Sequence, residues 1–94
     1  FYSSGSLWTT GFYGEVYNIK TDGSIITKFR TLGNNNEGVV AIDNDIYVID
    51  WTNEKIYVYS LNGEKKNEID SPVSEPLALA YDGTYLWITG YQNS

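Results

Sequence analysis

The sequence contains no cysteine, no histidine and no methionine, and only two prolines. Without Cys there is no disulfide framework, no thiolate nucleophile and no Cys-based zinc site. Without His the usual general base and the commonest metal ligand are both missing, so any catalysis would run on carboxylates, Tyr or Lys. No Ser-His-Asp or Cys-His arrangement can be assembled, and no phosphate loop is present. Basic residues are scarce, six Lys and Arg against twelve Asp and Glu, for a net charge of -6. Scattered cations on a chain of pI 4.3 make no basic stripe, which argues against nucleic acid and anionic membrane surfaces as partners. No apolar run approaches the roughly 18 residues of a membrane span, and no signal peptide is visible. A chain that begins at Phe1 and holds no Met is expected to be a processed or excised piece of something longer.

What is present is β-forming and repetitive. Nine Tyr and three Trp supply enough bulk for a packed β structure and too much for a disordered tail. Three segments align: Leu7-Trp8-Thr9-Thr10-Gly11-Phe12, Ile46-Tyr47-Val48-Ile49-Asp50-Trp51 and Leu86-Trp87-Ile88-Thr89-Gly90-Tyr91. Their starts lie 39 and then 40 residues apart, the period of a repeat architecture. The match extends outward. Glu15-Val16-Tyr17-Asn18-Ile19 answers Lys55-Ile56-Tyr57-Val58-Tyr59, Asp22-Gly23 answers Asn62-Gly63, and Val39-Val40-Ala41-Ile42-Asp43 answers Leu77 to Asp82.

One repeat then holds four strands, A to D. Strand A is expected at 39–43 and 77–81, B at 7–10, 46–49 and 86–89, C at 16–20 and 55–60, and D at 24–30 and 64–70. Turn residues mark the boundaries: Asp43-Asn44-Asp45 and Asp82-Gly83-Thr84 between A and B, Asp22-Gly23 and Asn62-Gly63 between C and D. Pro72 and Pro76 flank the D-to-A connection, where a missing ladder donor does least harm. Strands A and B are almost uniformly apolar, as a sheet covered on both faces requires. The D strands are charged, as exposed edges should be.

An antiparallel four-stranded unit of this length, buried inside and charged outside, predicts an all-β fold of β-propeller blades. The pattern Ile46-Tyr47-Val48-Ile49-Asp50, Asn53, Lys55-Ile56, Val58-Tyr59 and Asn62-Gly63 resembles the NHL-type β-propeller repeat, with the YVTN-type repeat a near relative. Glu75-Pro76-Leu77-Ala78-Leu79-Ala80-Tyr81-Asp82-Gly83 resembles the opening of the next such blade. The first repeat departs from the pattern, with Gly11 and Gly14 in place of the loop's Asp and Asn and a turn one residue shorter. On this reading residues 1–37 are a blade missing most of strand A, 38–75 a full blade, and 76–94 the first two strands of a third. That makes nine strands in a single propeller segment, whereas a ring takes about four blades at the least. The segment is therefore expected to need further blades, from the same polypeptide or, less favourably, from other copies.

In the propellers this chain resembles, the B-to-C and D-to-A loops share the face where ligands bind. That implies a ligand-binding set of Phe12, Tyr13, Asp50, Trp51, Asn53 and Tyr91, with Glu15 and Glu54 close by and Gln92 and Asn93 at the end. Aromatic plates beside carboxylates and amides suit a sugar ring or a peptide. The competing reading is that each aromatic packs on the neighbouring loop and the Asp fixes its own turn. Sugar-lactonase propellers hold an axial metal with carboxylates just ahead of strand A, which makes Glu37 and Glu75 weak candidates for calcium and implies no other cofactor. Trp8, Tyr47 and Trp87 share one repeat position and are expected to pack between blades. The leading functional expectation is a non-enzymatic scaffold, extracellular or on the cell surface, that binds a protein or glycan through the loop face. The alternatives are a propeller enzyme of the lactonase or cyclotransferase kind, and a purely structural repeat of a surface protein.

Overall fold

A computed structural model describes residues 2–3, 5–11, 14–31, 36–73 and 75–90. They form three antiparallel sheets and, among the described residues, no helix. The first sheet runs in chain order through β1 (Tyr2–Ser3), β2 (Ser6–Thr10), β3 (Glu15–Ile19) and β4 (Ile25–Arg30). The second repeats that meander with β5 (Asn36–Ile42), β6 (Asp45–Asp50), β7 (Lys55–Ser60) and β8 (Lys65–Asp70). The third pairs β9 (Pro76–Tyr81) with β10 (Leu86–Gly90).

Local chemistry explains the hairpins. In both four-stranded sheets the turn between the third and fourth strands is closed by the same two hydrogen bonds. Gly23 N donates to Lys20 O and Lys20 N to Ser24 O; Gly63 N donates to Ser60 O and Ser60 N to Glu64 O. Both glycines sit at left-handed φ, 93° and 96°, a conformation that a residue with a Cβ resists. Asp22 braces the first of these turns by accepting Ser24 N at 2.9 Å and Ser24 Oγ at 2.7 Å.

The core lies in the seams between sheets. Side chains alternate across a strand, so each inner strand has two sets to bury. Val39, Ala41, Ile46, Val48, Tyr57 and Tyr59 of the second sheet meet Trp8, Val16 and Phe29 of the first. The opposite face of the second sheet buries Val40, Ile49, Ile56 and Val58, and there β5 and β6 meet β9. A Cβ at Gly38 in β5 would stand 3.1 Å from Leu79 N and 3.3 Å from Ala78 Cα, so backbone approaches backbone at that crossing. The second sheet is thus covered on both sides, which accounts for its unbroken apolar runs. β8 is exposed along its whole length and carries the pairs Lys55–Asp70 at 2.5 Å, Lys65–Glu68 at 2.5 Å and Lys66–Asp45.

Several expectations shift in detail. Among the described residues there are ten strands, because the two-residue β1 pairs with β2 through Tyr2↔Leu7 and Ser3↔Ser6. Asp45 is a strand residue, paired with Ile42 and Ser60, which leaves Asp43 and Asn44 as the turn. Each C–D hairpin also carries a bulge that periodicity does not announce: Asn18↔Thr27 is followed by Ile19↔Ile25, and Val58↔Asn67 by Tyr59↔Lys65. Ile26 and Lys66 are the extra residues.

Candidate functional site

The B-to-C turn of the second sheet and the connection into the third come together at one end of the stack. Ser71 N donates to Glu54 O at 2.9 Å, and Glu75 N donates to Glu54 Oε2 at 3.2 Å. The first sheet repeats the device, with Thr31 N and Thr31 Oγ1 both donating to Gly14 O, at 2.8 and 3.0 Å. The two kinds of loop therefore share an end, for the reason that each turn closes on the connection leaving its own sheet.

Within that end the candidate residues take different places. Asp50 is fully buried. Its Oδ1 accepts Thr52 N at 3.0 Å and Asn53 N at 3.3 Å; its Oδ2 accepts Asn53 Nδ2 at 2.8 Å and the Tyr57 hydroxyl at 3.3 Å. A buried carboxylate needs several donors, and here they all belong to its own turn and the next strand. Burial first, then the adjacent Asp50 charge, holds the Tyr57 phenol above its ordinary range. Asn53 spends its amide on Asp50. Trp51, 37% exposed, is the large apolar group that this turn presents outward, beside Glu54 in a left-handed conformation at φ 55°. Glu15 is paired with Arg30 at 3.3 Å.

Phe12, Tyr13 and Tyr91 lie outside the described residues, as do Gln92 and Asn93. Of the two metal candidates, Glu37 is described for its backbone in β5 alone, and Glu75 stands beside Glu54 at φ 47°. Among the described residues no three Asp or Glu side chains converge into a group able to hold a metal ion. No helix among the described residues is long and apolar enough to cross a membrane.

The opposite end holds a feature that sequence reasoning missed. A cleft of about 690 Å³ opens along the seam between the first and second sheets, lined among others by Asn18, Asp22, Ile26, Asp43 and Leu61. The sequence carries Ile25-Ile26 at the head of β4 and an apolar Leu61 in a turn, neither of which marks a cleft by itself. In the third sheet the corresponding A–B turn is closed by Asp82, whose carboxylate accepts Thr84 N and Tyr85 N at 2.8 Å and Trp87 Nε1 at 2.9 Å. Those donors, Tyr85 N foremost, hold the Asp82 carboxyl below the usual carboxylate range.

No protein family model matches the chain, and no curated protein matches it either.

Proposed function

We propose that the chain is a segment of a β-propeller-type scaffold, of the kind the NHL repeat builds, and that it binds a protein or glycan partner through the turn end carrying Trp51. One observation carries the architectural part. Trp8, Tyr47 and Trp87 hold the same place in β2, β6 and β10, the second strands of three separate sheets. Trp8 is 5% exposed because the second sheet covers it, whereas Trp87 is 58% exposed on the outer face of the third. A face whose counterpart is buried elsewhere in the same molecule is built for a further sheet, supplied by the same polypeptide or by another copy.

The binding part rests on Trp51. Asp50 and Asn53 hold the turn from beneath and leave the indole outward, a rigid amphipathic plate of the type that stacks on a sugar ring or a peptide side chain. In this reading Asp50 and Asn53 act through Trp51 rather than on the ligand. An exported or surface location fits the Tyr- and Trp-rich sequence and belongs to the same proposal. The test is a glycan and peptide array probed with the full-length protein and with Trp51→Ala. The expected result is a ligand class whose signal falls about tenfold in the variant. Array signals that are absent, or indifferent to Trp51, overturn the binding reading and leave the architectural one standing.

A further inference from the structure

The cleft at the other end of the stack has its own chemistry. Its two lips are Ile26 from the first sheet and Leu61 from the second, 48% and 45% exposed. Ile26 is there because it is the bulged residue of β4, turned out of the ladder between Ile25 and Thr27. Bulges re-aim side chains in this way beside functional sites. Between the lips the lining carries two carboxylates, Asp22 from the C–D turn of the first sheet and Asp43 from the A–B turn of the second, against the single cation Lys20. The Asp43 carboxylate has no hydrogen-bond or ion-pair partner among the described residues. Asn18, across the ladder from the bulge, also lines the cleft, and its Oδ1 is buried without a donor.

The second sheet shows what such a bulge position does when the chain fills it. There the extra residue is Lys66, and its ammonium lies on the Asp45 carboxylate. In the first sheet the same position is aliphatic. The pattern left behind is an apolar channel leading to acidic and amide oxygens.

We propose that this cleft binds a primary ammonium group carried on an aliphatic stem. The stem lies between Ile26 and Leu61, covering methylene against methyl. The ammonium meets Asp43 and Asp22, with three N–H donors for oxygens that include the unsatisfied Asn18 Oδ1. The volume is within the range of about 300–1,000 Å³ typical of small-ligand sites. Free diamines and lysine side chains on a peptide share this chemistry, and the experiment separates them.

Titration calorimetry of the full-length protein with 1,5-diaminopentane, with Nα-acetyl-lysine methylamide and with 1-pentanol as the neutral control is the test. Saturable binding of at least one amine is expected, with none for the alcohol. Asp43→Asn should weaken it about tenfold, and raised salt should weaken it further. Ile26→Lys puts a cation on the lip of the cleft, so it should abolish binding while the fold persists, because an exposed bulge already tolerates lysine one repeat on. Trp51→Ala should leave it unchanged, which separates this site from the turn-end reading. Binding of the diamine alone identifies a free polyamine as the ligand; binding of the lysine amide alone identifies a peptide. Saturation by neither amine up to about 10 mM, or binding indifferent to both Asp43→Asn and Ile26→Lys, overturns the proposal.

Discussion

Asp50 shows how a residue chosen for its chemistry can be occupied by its surroundings. In the first and third repeats the matching position is glycine, Gly11 or Gly90, and no carboxylate is needed there. In the second, four donors from Thr52, Asn53 and Tyr57 converge on one buried side chain. Asp50→Ala would leave those groups without an acceptor, and an orphaned buried network costs about 2–4 kcal/mol. The expected outcome is an unfolding free energy lowered by that amount, read from a urea midpoint that falls at unchanged m, with Asp50→Asn milder, since one amide oxygen still accepts. The sequence offered both roles for Asp50, ligand contact and turn brace. It does not tell them apart, because the same carboxylate at the same spacing serves either and only the direction of the side chain differs. Trp51, one residue on, lies past the end of β6 in the turn that Asp50 braces, and is turned outward.

At the scale of the element, the hairpins were legible and their irregularities were not. Asp22-Gly23 and Asn62-Gly63 encode their turns locally, since the left-handed residue has to be glycine. Strand identity followed from apolar, β-branched and aromatic runs at a fixed period. The bulges at Ile26 and Lys66 leave no such mark, because an extra residue in one strand changes register without changing composition. The extension of β5 back to Asn36 was hidden likewise, for Asn36-Glu37-Gly38 has no β pattern and joins the strand through pairing with Asp50. Gly63 has a second duty beyond its turn. A Cβ there would fall 2.8 Å from both Cβ and Cγ of Phe29, the ring that packs 5.4 Å from Tyr59 across the seam. Gly63→Ala should therefore cost about 2–4 kcal/mol, combining the left-handed backbone with overpacking. Gly23→Ala is the control: its φ is the same, but nothing lies within 4 Å of the added carbon. It should cost about 1–2 kcal/mol, and paired denaturation curves give the difference.

The whole molecule is a row in which each sheet touches its neighbours. Two substitutions at one repeat position read that arrangement directly. Trp8→Ala removes a side chain sealed in a seam and should cost about 3–5 kcal/mol. Trp87→Ala removes one that is mostly exposed, and in this chain it should cost under about 1 kcal/mol. If a further sheet covers the outer face in the full-length protein, the Trp87 cost rises there toward the Trp8 value; thermal unfolding of the two variants in both contexts decides it. Stacking order was legible from the doubled apolar sets of the middle repeat, which have nowhere to go unless both faces are covered. The cleft was not legible, because it is made where residues from two repeats face each other across a seam.

The place of β10 carries a last implication. β2 and β6 hold the same position in their sheets and are hydrogen-bonded to a strand on either side, β1 and β3 for one and β5 and β7 for the other. Among the described residues β10 has β9 on one side only, and an unpaired edge of this kind is open to any extended segment. Association through such an edge is expected to rise with concentration, and whether the segment that arrives is a fitting complement or a stray neighbour separates ordered growth from tangling.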